Sequence, residues 1–145
     1  MSHDHLPLDK SALNFEQVKN LLALNQPVSI TPGATKSINE CRDYLDKKLN
    51  SGDGLFYGIN TGFGYLQNVK IDNTQLHQLQ SNLLQSHACG LGEEVPAAIV
   101  KLMMMLKIKS LSYGHSGVQL DTVNRLVDMY NNDVLPVIYT QGSLG

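Results

Sequence analysis

Pro96-Ala97-Ala98-Ile99-Val100-Lys101-Leu102-Met103-Met104-Met105-Leu106-Lys107-Ile108 decides what kind of fold this chain can have. Proline at the start is preorganised for the first turn of a helix. The apolar residues behind it fall on nearly every side of the helical wheel, so the spacing predicts a helix buried in a larger bundle. Lys101 and Lys107 interrupt the run, which is too short to span a bilayer. The consecutive methionines suit irregular core gaps and read as packing rather than as a cofactor box.

Upstream of this helix, Asp72-Asn73-Thr74 is a helix start, and Leu76, Leu79 and Leu83 form an apolar stripe that His87 continues four residues on. Ala88 and Gly90 mark the C-terminal end. His87 has two readings: a ring interacting with the helix C-terminus, or a ring turned to a ligand. His77 lies off the stripe, on the exposed side. Further upstream stands Tyr57-Gly58-Ile59-Asn60-Thr61-Gly62-Phe63-Gly64, three glycines in eight residues. Glycine at this density permits positive φ and close backbone approach, and loops on rigid scaffolds carry much binding and catalysis. A phosphate-cradling loop does not fit, because no Lys-Ser/Thr ending follows and no helix opens directly after Gly64.

The remaining chain is also largely helical. Asn14 and Gln17 have the spacing of a capping box, with Val18, Leu21 and Leu22 following and Asn25 closing the turn. Val28-Ser29-Ile30 is a short β-branched strand candidate. Thr31-Pro32 opens a second helix with Ile38, Cys41, Leu45 and Leu49 on one face, ending in Asn50-Ser51-Gly52-Asp53-Gly54. Downstream, Gly114 and Gly117 break the chain, Asp121 is the expected cap of a last helix carrying Val123, Leu126, Val127 and Tyr130, and residues 134–138 run extended. The fold class is mainly α with minor short strands, and residues 1–145 are expected to carry no internal domain boundary.

Composition narrows the functional classes. A hydrophobic share of 42% and a charged share of 17% are those of a soluble globular chain. The net charge of -2 leaves no electrostatic footprint for nucleic acid. The polar N-terminus is no signal peptide, and the cytoplasm is the expected compartment. Cys41 and Cys89 stand alone, without disulfide framework or metal spacing. His3 and His5 lie in a tail expected to be solvated, so no metal site is expected.

Four segments together are similar to the histidine and aromatic amino-acid ammonia-lyases. Residues 57–64 resemble that family's tyrosine loop, and Leu79-Gln80-Ser81-Asn82-Leu83-Leu84-Gln85-Ser86-His87-Ala88-Cys89-Gly90 resembles its substrate-selecting helix. Lys107-Ile108-Lys109-Ser110-Leu111-Ser112-Tyr113-Gly114-His115-Ser116-Gly117 resembles a third segment, and Gln141-Gly142-Ser143-Leu144-Gly145 the run before the family's Ala-Ser-Gly triad. The resemblance covers most of residues 55–145 and implies the N-terminal part of the ammonia-lyase (fumarase/aspartase-like) helical fold.

Such enzymes remove ammonia and a β-hydrogen from an α-amino acid, using a 4-methylidene-imidazol-5-one made from that triad. By motif position the resemblance implies Tyr57 as the base, Gly64 beside it, and His87 at the substrate side chain. A phenol ordinarily titrates near ~10, so a phenolic base working near neutrality needs help of roughly three units, about 4 kcal/mol. Positive potential such as helix N-termini would supply it; burial alone pushes the wrong way. The triad is expected immediately after Gly145, which implies the front of a longer enzyme whose activity requires that segment. Ser-His at 86–87 points to histidine as substrate and urocanate as product, within a homotetramer. A tyrosine ammonia-lyase or aminomutase on the same scaffold is the alternative. A non-catalytic helical interaction domain is the reading from a different class.

Overall fold

The computed structural model describes residues 5–52 and 54–142. In chain order the elements are β1 (Leu6–Leu8), α1 (Phe15–Leu24), β2 (Val28–Ile30), α2 (Pro32–Asn50), single 3-10 turns at Gly64–Leu66 and Asn73–Gln75, α3 (Leu76–His87), β3 (Gly90–Glu94), α4 (Ala97–Leu111), α5 (Leu120–Asn131) and β4 (Tyr139–Gly142). Mainly helical architecture with minor short strands is therefore the fold class. His3, Asp53 and the Ser143-Leu144-Gly145 end of the motif run lie outside the described residues. The chain divides into two compact units, Met1–Lys47 with Glu94–Ile138, and Lys48–Glu93 with Tyr139–Gly145.

In the first unit the apolar stripes read from the sequence converge on one core. Leu8, Leu21, Val28, Ile38, Met104, Met105, Ile108, Val123 and Tyr130 are buried together. Burial of side chains of this size contributes about 1.5–3 kcal/mol each. β1 and β2 pair in parallel, Leu6 opposite Val28 and Leu8 opposite Ile30, with α1 as the connection between them. Both halves of the predicted capping box of α1 form: Asn14 Oδ1 accepts from the Gln17 amide at 2.9 Å, and Gln17 Oε1 from the Asn14 amide at 3.0 Å.

Polar side chains close the seams of this unit. Asn131 brackets β2, accepting from the Val28 amide at 2.9 Å and donating to the Val28 carbonyl at 3.0 Å. Lys101 donates to Asn25 and Asp133 and sits 4.9 Å above the Tyr130 ring. Its ammonium, and then the Asn25 carboxamide, hold the Asp133 carboxyl below the usual range. Burial, and then the charge of Asp133, push the Tyr130 phenol up to about 12, so it stays protonated and donates to the Gln26 carbonyl. Lys109, buried on α4, donates to the carbonyls of Asp9 and Ser11. A buried ammonium requires such partners. Gly114 has φ +68, and a Cβ there would lie 2.6 Å from the Ser37 backbone. Only glycine lets this turn press against α2.

The structure corrects several expectations. α4 is not enclosed all round: Val100, Met104, Met105, Ile108 and Leu111 are buried, while Ile99, Met103 and Leu106 are exposed. A single packed layer covers one side of a helix whose composition is apolar on both. Pro96 is the N-cap of α4 rather than its first residue. The cap of α5 is Gln119 with no side-chain hydrogen bond, and Asp121 sits inside the first turn, where its charge favours the helix dipole. Residues 134–138 make no strand ladder; Pro136 lacks a donor, and β4 begins only at Tyr139. β3 has no clear sequence signal, since Gly90-Leu91-Gly92-Glu93-Glu94 has little β character; it pairs with β4 in a two-stranded sheet. No described helix is long and apolar enough to cross a membrane.

Candidate functional site

The second unit carries the glycine-rich loop and α3. The chain turns sharply at Tyr57, where the amides of Ile59 and Asn60 both donate to the Phe56 carbonyl, at 3.0 and 3.2 Å. Gly58 makes this turn possible with φ +75, a conformation that costs other L-residues energy. Asn60 and Thr61, only 4% and 0% exposed, are the buried polar residues of the loop. Asn60 Oδ1 accepts from the Phe56 amide at 2.7 Å and its Nδ2 donates to the Gly54 carbonyl at 2.9 Å. Thr61 Oγ1 accepts from the Gly58 amide at 3.3 Å and donates to the Gly62 carbonyl at 2.9 Å. An antiparallel bridge between Thr61 and Lys70 ties the loop to its own return, and the Ile71 amide donates to the Asn60 carbonyl at 2.9 Å.

Tyr57 projects from this frame with 63% of its surface exposed. Its ring meets Phe63 edge to face, centroids 5.8 Å apart. Its oxygen accepts a long contact, 3.5 Å, from the Gly64 amide. Gly64 itself has φ +56 and opens the 3-10 turn Gly64–Leu66. Tyr57 and Gly64 are thus brought together, and among the described residues the amide that meets the phenol is that of Gly64. Backbone amides aimed at a developing anion are a recurrent way to stabilise one. After the loop, Asp72 Oδ1 accepts from the Thr74 hydroxyl and amide at 2.6 and 2.9 Å, which hold its carboxyl below the usual range, the hydroxyl most. This closes the 3-10 turn; α3 itself starts after Gln75, one turn later than the expected cap.

His87 is the last residue of α3. Its Nδ1 lies 3.1 Å from the Leu83 carbonyl and 2.9 Å from Ser86 Oγ, and Ser86 Oγ donates to Leu83 O at 3.0 Å. A carbonyl oxygen only accepts, so the contact with Leu83 is a hydrogen bond in the forms of the ring that carry a proton on Nδ1. One nitrogen thus serves the helix C-terminus, and the side chain is exposed on the last turn of α3. No hydrogen bond joins His87 to Tyr57 or Gly64 among the described residues. No group of three metal-ligating side chains occurs among them either. His5 stands apart in the first unit, its Nδ1 3.3 Å from the Val28 carbonyl.

The family resemblance singles out Tyr57, Gly64 and the Ser86-His87 pair but assigns no task to Asn60 or Thr61. A signal for them exists: Asn and Thr side chains commonly bond to backbone within a few residues in turns. Which amides they take depends on the three-dimensional course of the loop.

Known proteins share this arrangement of elements. Histidine ammonia-lyase of Deinococcus radiodurans is 44% identical over 133 residues, a span that covers 92% of this chain and 25% of that protein. The crystal structure of histidine ammonia-lyase from Trypanosoma cruzi superposes with a TM-score of 0.82 at 30% identity, covering 97% of this chain and 27% of the other. Ergothionase from Treponema denticola, an ergothioneine-degrading enzyme, superposes with a TM-score of 0.88 at 25% identity, covering 97% and 28%. This chain spans about a quarter of the length of the relatives it matches. Residues 13–145 match the family profile over nearly the entire sequence, and this chain belongs to the aromatic amino acid lyase family.

Proposed function

We propose that the protein is a histidine ammonia-lyase, eliminating ammonia from L-histidine to give urocanate. The observation that carries this reading is the Ser86–His87 pair at the end of α3, with one imidazole nitrogen tied to the helix and the side chain exposed. It occurs in a chain 44% identical over 133 residues to a protein named histidine ammonia-lyase. An exposed imidazole suits a substrate side chain able to exchange a hydrogen bond with it, as another imidazole can.

In this reading Tyr57 removes the β-hydrogen of the substrate. Gly64 lies beside it, its amide 3.5 Å from the phenol oxygen and its lack of a side chain leaving room for the substrate. His87 holds the substrate side chain. The family's 4-methylidene-imidazol-5-one, once formed, would supply an electrophile for the substrate amine. That group is built from Ala-Ser-Gly, a run that does not occur within residues 1–145. None of the present residues can form it, so Tyr57, Gly64 and His87 supply the base, its amide partner and the grip on the side chain. A homotetramer fits the exposed apolar residues Ile99, Met103 and Leu106 of α4, which another surface would cover.

Absorbance assays of the full-length protein with histidine and with tyrosine test the reading. Urocanate formed from histidine in preference to any product from tyrosine is expected. Turnover of tyrosine alone would replace it with the tyrosine ammonia-lyase or aminomutase reading, since a phenol can also donate to His87. Inactivity on both substrates would favour a non-catalytic interaction domain.

A further inference from the structure

We propose that Asn60 and Thr61 are positioning residues for Tyr57, a role that rests on the reading of Tyr57 as the base. Among the described residues, the amides immediately before and after Tyr57 are met by side chains rather than by backbone. The Phe56 amide ends on Asn60 Oδ1 at 2.7 Å and the Gly58 amide on Thr61 Oγ1 at 3.3 Å. Tyr57 is therefore held between two side chains, both buried, while its own ring is largely open. With 63% of Tyr57 exposed, packing alone holds the ring weakly, so the direction of its Cα–Cβ bond comes chiefly from the backbone beneath it. Asn60 Nδ2 extends the clamp upstream to the Gly54 carbonyl, and the Thr61 hydroxyl proton extends it downstream to the Gly62 carbonyl. The clamp is anchored in turn by the Thr61–Lys70 bridge and by the bonds Gly62 N to Val69 O and Ile71 N to Asn60 O. Rigidity of that bridge is thereby passed to the turn that aims Tyr57 at Gly64.

The chemistry of each side chain dictates the variants. Thr61→Val keeps shape and loses the hydroxyl that serves Gly58 and Gly62, whereas Thr61→Ser keeps it. Asn60→Asp keeps the acceptor for Phe56 but loses the donor to Gly54 and sets an anion against that carbonyl. In the full-length protein, kcat and KM for histidine are measured across pH for these variants, for Tyr57→Phe, and for Tyr57→Phe combined with Thr61→Val, with melting temperatures alongside. Misplacing a reacting group by about an ångström costs up to ~100-fold in rate. Thr61→Val and Asn60→Asp are therefore expected to lower kcat roughly ten- to hundred-fold with KM changed by less than about three-fold. Thr61→Ser should recover most of the loss, and Thr61→Val should add little to Tyr57→Phe, because groups that act as one unit are not additive.

A wild-type kcat in Thr61→Val and Asn60→Asp, beside an inactive Tyr57→Phe, overturns the clamp alone. Equal losses in kcat, KM and melting temperature without rescue by Thr61→Ser also overturn it, in favour of a purely structural role. Full activity of Tyr57→Phe overturns the reading of Tyr57 as base, and the clamp with it.

Discussion

The two compact units of this chain are held by different forces. The first has a continuous apolar core in which Leu8, Leu21, Met105, Ile108 and Val123 lose nearly all contact with water. In the second, no residue of α3 is buried, and the loop's buried side chains are the polar Asn60 and Thr61. Hydrophobic burial is roughly proportional to area and indifferent to direction, so it gives the first unit stability. Hydrogen bonds contribute less net free energy, about 1 kcal/mol each, but they specify geometry. The unit that carries Tyr57, Gly64 and His87 is thus the one organised by direction rather than by bulk. Sites that must meet a substrate are commonly drawn from such weakly buried regions.

If that contrast holds, stability and activity should separate by mutation. Tyr57→Phe should show the largest effect of all, a loss of roughly 10²–10⁴ in kcat, the usual contribution of a positioned acid or base. Its melting temperature should match the wild type, because the lost oxygen makes only a 3.5 Å contact with Gly64. A variant that both unfolds and loses activity would show that the loop depends on its tyrosine for structure.

Ile108→Ala should come next, costing about 2–5 kcal/mol of stability by leaving a cavity at a fully buried position. In the other unit, Leu84→Ala at a side chain 73% exposed should change stability by less than about 0.5 kcal/mol. Denaturant unfolding of both variants measures the difference. A cost above about 1 kcal/mol for Leu84→Ala would break the comparison, since it would mean that another surface covers α3.

The smallest effect concerns acid. Asp133 has its folded pKa lowered by Lys101 and Asn25, so the native state binds protons less readily there than the unfolded chain. Its contribution is complete above the ordinary carboxylate value near ~4 and is lost as pH falls through the lowered folded value. Thermal melts of Asp133→Asn should lie modestly below the wild type at neutral pH and converge with it in acid. Curves that stay parallel down to low pH would mean that the Lys101–Asp133 pair does not help hold the first unit.

Elements whose signal is local are legible in the sequence. Asn14 and Gln17 three residues apart dictate a capping box, because each side chain reaches the other's amide whatever surrounds them. Thr31 before Pro32 starts α2 for a similar reason, its hydroxyl accepting from the Ala34 amide at 3.2 Å. Other features depend on partners distant in the chain. Lys109 is buried because the carbonyls of Asp9 and Ser11, about a hundred residues away in the chain, come to meet it. Asp121 has the chemistry of a cap, yet packing sets the start of α5 one residue before it. The exposed stripe of α4 is illegible because apolar spacing says which residues can be buried, not which ones find a cover.

At the site the division is the same. Sequence alone determined that residues 57–64 form a glycine-rich loop presenting a tyrosine, and that His87 ends an apolar helix stripe, since residue types and short spacings carry that information. Tertiary structure decided that Gly64 turns its amide to the tyrosine oxygen, that Asn60 and Thr61 take the amides on either side of Tyr57, and that Leu83 and Ser86 meet one imidazole nitrogen of His87. Those outcomes depend on directions in space, and a hydrogen bond exists only where the folded backbone brings donor and acceptor into line.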